Sequence, residues 1–216
     1  MNEKALKSQT FRLRVWGENA CFTRPEMKVE RVSYDIMTPS AARGILEAIL
    51  WKPAIRWNIT RIDVLNPIRW ASVRRNEVRS VMSPRANGLF IEDQRQQRAG
   101  LFLREVAYVI HAFFEMTDNA GTEDNVKKFE EIFMRRAKKG QCFHRPYLGC
   151  REFAAHFEPI PEAMDGPEPI VESRDLGFML YDMDHSGKEP MPMWFRAQIQ
   201  DGRLHVPDIE SAEVRR

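Results

Sequence analysis

No apolar run in this 216-residue chain approaches the roughly 18 residues that a membrane-spanning helix needs. The opening MNEKALKSQT holds no apolar core of the kind that directs secretion. Cysteine is scarce. Cys21, Cys142 and Cys150 make an odd number, which fits reduced thiols in a cytosol better than a disulfide framework. Walker-type phosphate loops are absent, as are G-x-S-x-G, H-E-x-x-H and EF-hand patterns, so P-loop nucleotide hydrolysis and the common hydrolase templates fall away. Internal repeats and low-complexity segments are missing too. With 43% hydrophobic and 10% aromatic residues, the composition is that of a soluble globular protein. A cytoplasmic location is expected, with no membrane partner.

The net charge of +2 conceals an asymmetry. Residues 158–216 carry 6 Lys/Arg against 13 Asp/Glu, a net of −7, which leaves 27 against 18, a net of +9, in residues 1–157. A basic body attracts phosphate backbones, and an acidic tail suits a protein partner or a shielded surface. Unpatterned surface charge is the competing reading.

Hydrophobic periodicity supplies the elements. TFRLRVWGENACF alternates Phe11, Leu13 and Val15 with Arg12, Arg14 and Trp16, the pattern of a strand with one wet face. TPSAARGILEAILW predicts a helix capped by Thr38, with Pro39 in its first turn and Ala42, Ile45, Leu46, Ile49 and Leu50 as the buried stripe, ending near Pro53. AIRWNITRIDVL reads as a strand, and IRWASVRRNEV as its hairpin partner after the Asn66-Pro67 turn. Residues 79–100 are polar and arginine-rich, and are expected to form a mobile insertion. LREVAYVIHAFFEMT is a long strand. TEDNVKKFEEIFMRRAKKG is a helix capped by Thr122 and buried through Val126, Phe129, Ile132 and Phe133. REFAAHFEPI follows as a strand, then a proline-rich linker and three short strands, the last two joined by Asp201-Gly202. The order strand–helix–strand–strand–helix–strand predicts an α+β fold. It consists of a ferredoxin-like (RRM-like) N-terminal domain over 1–158, then a linker and small antiparallel sheet domain over 159–216.

The second of these helices concentrates cations. Lys128, Arg135 and Lys139 share a stripe away from Phe129 and Phe133, with Arg136 and Lys138 beside it. Cations in the last turn also meet the negative end of the helix dipole, which accounts for them without a ligand. Lys127 and Lys128, near the N-terminus, have no such account and point to a polyanion. Trp16, Trp57 and Trp70 are candidates for base stacking, or for the core. Cys142, His144, Cys150 and His156 are spaced C-x-H-x5-C-x5-H with no CxxC knuckle, so structural cysteines are preferred to zinc.

RNA cleavage without metal needs a base for the 2′-hydroxyl, an acid for the leaving 5′-oxygen and a cation for the phosphorane. His144, Tyr34, Tyr147, Lys127 and Lys128 are available, and His144 is equally readable as a capping or core histidine. Asp175, Asp182, Asp184 and His185 form the one acidic group able to hold a divalent cation, for metal-dependent DNA cleavage, against the plainer reading of solvated loop carboxylates.

Three stretches carry a resemblance: WGENACFTRPEMKVERVSYDIMTPSAARGILEAILWKPAIRW, LNPIRWASVRRNEV and RRAKKGQCFHRPYLGCREF, with DLGFMLYDMD in the tail. They resemble the CRISPR-associated RAMP endoribonuclease of type I-C (Dvulg-subtype) systems, the Cas five-d family, from about Trp16 to Phe157. The resemblance implies a ferredoxin-like domain with a small C-terminal sheet. It implies metal-independent cleavage of CRISPR repeat RNA, needing no cofactor, and retention of the crRNA 5′ handle within the type I-C interference complex beside its other subunits. A non-catalytic handle-binding scaffold is the alternative. The family's tyrosine, lysine and histidine fall here on Leu50, Lys128 and Phe129. The resulting assignment gives Lys128, His144, Lys127 and Tyr34 to catalysis. It gives Arg24, Lys28, Arg31, Arg43, Lys52, Arg74, Arg75, Arg135, Arg136, Lys138, Lys139 and Arg145 to RNA.

Overall fold

Phe11, Leu13 and Val15 alternate with half-exposed residues along strand β1 (Phe11–Ala20), and the buried side faces the helices. The computed structural model describes residues 6–216 except Lys28 and Ala86. Helix α1 (Pro39–Ile49) opens as its sequence dictates: Thr38 accepts a hydrogen bond from the Ala41 amide, and Pro39 occupies a first-turn position where no amide proton is needed. The remaining elements are β2 (Ile55–Val64), β3 (Arg69–Val78), the single turn α2 (Ile91–Gln94), β4 (Arg95–Met116), α3 (Val126–Lys138) and β5 (His156–Ile160). After them come β6 (Arg174–Asp184), β7 (Met191–Gln200) and β8 (Arg203–His205).

The pairings between these strands are antiparallel, and the sheet runs β5-β1-β4-β2-β8-β7-β6, with β3 on β4 off that path. The C-terminal strands therefore extend the sheet of the first half, through β8 on β2. Asp201 and Gly202 join β7 to β8 with φ of 47° and 72°, the two left-handed residues of a type I′ turn.

Helix α1 packs on β2 and β6, and α3 on β5 and α1. Between α3 and the sheet, Phe11 and Trp57 each meet Phe133 at 4.8 Å, and Phe114 meets Phe129 at 6.4 Å. Each of these rings is 4% exposed or less, and truncating a ring so placed costs about 3–5 kcal/mol. The sequence had left Trp57 between base stacking and the core, and the structure decides against stacking. Trp57 is a core residue, its indole donating to the Leu50 carbonyl at 2.9 Å.

Three expectations are corrected. β3 pairs with β4 over Arg69–Val78 and Arg104–Arg95, not with β2, whose two flanks are taken by β4 and β8. Residues 79–100 are not structureless throughout: 91–94 form α2 and 95–100 begin β4, held by main-chain pairing that polar side chains do not announce. The cap of α3 is Asn125, accepting from the Lys128 amide at 3.0 Å, because residues 121–124 form their own turn through Asp124 and the Gly121 amide.

Glu105 interrupts β4 with φ of 52°, and the register with β1 passes from Val106 to Arg104 around it. At the other end of the sheet, β6 has β7 as its one neighbour among the described strands and carries two register shifts; the Gly177 and Met183 amides are taken by Asp175 and Asp182 side chains. These features blunt an edge that would otherwise recruit a strand.

On the sheet face away from the helices, Arg12, His111 and Arg61 lie in one row of the β1–β4–β2 register. Asp63 meets this row. His111 Nε2 lies 2.7 Å from its Oδ2, and Arg61 Nε 2.8 Å from its Oδ1. Burial alone would push the Asp63 carboxyl up, but His111 and Arg61 outweigh it and hold it below the usual range. Arg12 spends its guanidinium on the carbonyls of Pro161 and Met164, both 2.6 Å away, and so fastens the linker across this face.

Candidate nucleic-acid interface and active site

The C-terminus of α1 leaves carbonyls that its own helix cannot satisfy. Three other elements supply donors. The Phe143 amide donates to Ala48 O at 2.8 Å, Arg136 Nη1 to Ile49 O at 2.9 Å, and Trp57 to Leu50 O. This capping fixes the 141–149 loop and the last turns of α3 against α1. Between them opens a cleft of about 640 Å³ lined by Gly44, Glu47, Trp51, Lys52, Pro53, Arg136, Phe143, His144 and Tyr147.

Its walls are aromatic and its charged groups mostly cationic. Trp51 is 62% exposed and Phe143 90%. His144 stacks on Tyr147 with ring centroids 6.2 Å apart and planes at 27°, both on the solvent side. Glu47, the cleft's one carboxylate, is tied to Arg43 at 2.6 Å. A second cleft of about 480 Å³ shares Glu47, Trp51, Lys52 and Pro53 and continues past Arg43 to Asp182, Asp184 and His185. Lys52 faces both.

At the far end of α3, Lys128 Nζ bonds Asp124 at 2.9 Å and lies 5.7 Å from the Phe129 ring. That hydrogen bond, the Gly121 amide, and the charges of Lys128 and Lys52 hold the Asp124 carboxyl below its usual range. Lys52 thus stands between two clusters. Arg136, His144 and Tyr147 lie on one side, and Asp124 and Lys128 on the other; Lys128 and Arg136 are separated by about 12 Å of helix rise.

The remaining assignments divide. Lys127, Arg135, Lys138, Lys139, Arg145 and Arg74 are exposed, with no ion-pair partner among the described residues. Arg24 is held by Asp35 and stacked on Tyr34, Arg31 pairs with Glu77, and Arg75 with Glu152 at 2.6 Å. Arg43 grips both Asp182 oxygens, at 2.7 and 2.8 Å. For these four, carboxylates answer the charge that the sequence had offered to RNA. Arg136 is half-buried as a helix cap. Lys28 lies outside the described residues.

Tyr34 is withdrawn from catalysis. It is fully buried, its hydroxyl accepts from the Leu180 amide at 3.2 Å, and burial pushes it up to about 12. Leu50 and Phe129, at the family's tyrosine and histidine positions, are core residues with 0% and 2% exposure. The C-x-H-x5-C-x5-H residues are dispersed: Cys142 is exposed, Cys150 faces the Cys21 carbonyl, and His156 stacks on Trp16. Of the tail carboxylates, Asp175 is answered by Arg196, Asp182 by Arg43 and Asp184 by Arg216.

Sequence reasoning passed over Trp51 and Gly44. Trp51 follows the last position of the buried stripe and falls off its face, which was the available signal. Gly44 is exposed in the middle of α1, and a Cβ there would meet nothing within 4 Å. Packing does not require it, although glycine costs a helix about 0.5–1 kcal/mol against alanine.

Gly149 is the opposite case. With φ of 82°, its added Cβ would lie 2.1 Å from the Cys21 carbonyl oxygen. Gly149→Ala is expected to destabilise the fold by at least about 1 kcal/mol and to displace the loop that carries Tyr147, lowering the urea midpoint. An unchanged urea midpoint would refute this.

The sequence model of the family described as CRISPR-associated protein (Cas_Cas5), the Cas5d type, matches residues 10–207. CRISPR pre-crRNA endoribonuclease Cas5d of Mannheimia succiniciproducens is 50% identical over 223 residues, covering 95% of this chain and 98% of that protein. Its counterpart from Thermus thermophilus is 44% identical, covering 95% and 94%. A crystal structure of a CRISPR-associated protein superposes with a TM-score of 0.74 at 23% identity, over 98% of this chain and 99% of that one, and shares the fold. The α+β sheet architecture and the basic aromatic cleft thus occur in a chain that belongs to the Cas5d family of CRISPR-associated proteins.

Proposed function

We propose that this chain is a CRISPR pre-crRNA endoribonuclease that cuts repeat RNA by attack of a 2′-hydroxyl, without metal, in the cleft at the C-terminus of α1. Membership of the family supports the activity. The observation that carries the site is His144, stacked on Tyr147 in the cleft that Lys52 and Arg136 line.

His144 exchanges the proton with the 2′-hydroxyl or with the leaving 5′-oxygen. The 2′-oxygen bonds to phosphorus and the 5′-oxygen departs protonated, giving a 2′,3′-cyclic phosphate and a 5′-hydroxyl. Lys52 and Lys128 offset the negative charge of the phosphorane, and Lys127 extends the same cationic end. The donors in the cleft suit proton transfer rather than a metal ion, since its only carboxylate is ion-paired. Arg135, Lys138, Lys139, Arg145 and Arg74 contact phosphates. After cutting, the chain holds the 5′ handle and meets the other subunits of the type I-C interference complex.

Residues 1–158 form a ferredoxin-like unit in this reading, which the order β5-β1-β4-β2 beneath α1 and α3 supports. Residues 159–216 form its small C-terminal part, whose strands β6, β7 and β8 continue the same sheet through β8 on β2.

A second reading, a handle-binding scaffold without catalysis, draws on the burial of Leu50 and Phe129. One assay separates the two. Purified protein with end-labelled repeat RNA in excess chelator is expected to cut at one position, and a 2′-deoxy nucleotide there is expected to abolish cutting. Tight, salt-sensitive binding without cutting selects the scaffold.

A further inference from the structure

We propose that the α1 cleft is a clamp for unpaired nucleobases, with Trp51 and Phe143 as its stacking platforms. This deepens the reading of the cleft as an RNA site and rests on it. A single exposed aromatic needs no explanation. Two large ones on the wall of one cleft, beside the His144–Tyr147 stack and with Lys52 and Arg136 in the same lining, do.

Both platforms are displayed by anchored backbone. The Phe143 amide is fixed to Ala48 O at 2.8 Å, and its ring nevertheless stands 90% exposed. Trp51 follows Leu50, whose amide bonds Leu46 O at 2.8 Å and whose carbonyl receives the Trp57 indole at 2.9 Å. With the backbone held in this way, the freedom lost on binding is confined to the two side-chain torsions of each ring.

The charge around the cleft selects the occupant. Arg145 borders it, and Arg135, Lys138 and Lys139 stand near Arg136 on α3. All four are exposed without ion-pair partners among the described residues. A flat ring between aromatics with an anionic link toward cations describes a single-stranded nucleic acid. Gly44 lines the same cleft, with open space where its side chain would be, and leaves room for backbone to approach α1 closely.

The test uses the full chain and repeat RNA in which every unpaired nucleotide is 2′-deoxy, so that binding is read whether or not the protein cuts. 2-Aminopurine is walked through those unpaired positions. Wild type is expected to quench its fluorescence at one or two positions. Trp51→Leu and Phe143→Leu should each remove the quench at one of them and weaken affinity about tenfold, with melting temperature unchanged. Gly44→Ala should raise the melting temperature and weaken binding. Quench and affinity equal to wild type in both aromatic variants would overturn the clamp and leave the surface to a protein partner. If the quench behaves as expected but all-ribose repeat RNA is never cut, the clamp stands and the endonuclease reading falls.

Discussion

Replacing His144 by alanine is expected to slow single-turnover cleavage of repeat RNA by about 10²–10⁴-fold, the ordinary contribution of a positioned acid or base. Binding of uncut RNA should fall far less than the rate, and stability should be unchanged. The ring is exposed, and its contacts are the Tyr147 stack, the neighbouring Phe143 and a 3.3 Å approach to the Arg145 carbonyl. Little folding energy therefore rides on it, and a loss of rate reports chemistry. Lys52→Ala should follow in the same direction with a smaller drop, because Lys128 remains near Asp124 to carry part of the phosphorane charge. Wild-type cutting by His144→Ala would move the reaction to the Lys127–Lys128 end of α3.

Asp63→Asn is expected to cost about 3 kcal/mol, the scale for removing one partner from a buried charge pair. That corresponds to a fall in melting temperature of roughly 6–12 °C for a chain of this size. Asp63 is 5% exposed and answers both Arg61 and His111, so its loss leaves Arg61 and His111 without their carboxylate partner. The pH dependence has a fixed sign. Because His111 and Arg61 hold the folded-state pKa below the ordinary aspartate value of about 3.9, the contribution is fully present above that value. It is lost as pH falls through the depressed pKa. The gap between wild type and Asp63→Asn in urea midpoint should accordingly be widest near neutrality and close under strong acid. A gap independent of pH would show that packing rather than charge sets the cost.

What was legible in the sequence was what local chemistry decides. The alternation Phe11-Leu13-Val15, the Thr38-Pro39 start of α1 and the Asp201-Gly202 turn each follow from side-chain period or backbone preference, and each is found. The partner of β3 was not legible. Its exposed alternation fits any polar neighbour, and the flanks of β2 were filled by β4 and by β8, a strand some 140 residues further on. In the candidate site, Lys52, His144 and Arg145 could be singled out as types of residue. The role of Arg136 could not, because the carbonyl it caps belongs to a helix 87 positions earlier in the chain. Trp51 was legible as a residue off the buried stripe, but its neighbours in the cleft, Phe143 and His144, come from some 90 residues further along the chain.

The bend at Glu105 separates two kinds of length in β4. On its C-terminal side the strand is held between β1 and β2, where adding one residue would turn every core side chain outward. On its N-terminal side Arg104 and Leu103 still pair with β1, and beyond them it runs with β3 as a ribbon tied back by the Arg75–Glu152 and Arg31–Glu77 ion pairs. Matched insertions of two residues beside Val78 and Arg95, beyond those ties, should therefore lengthen the projection by about 7 Å per step, while the aromatic core and the α1 cleft keep their register. The ribbon tip is thus a reach that can be reset in increments, independent of the proposed cleft.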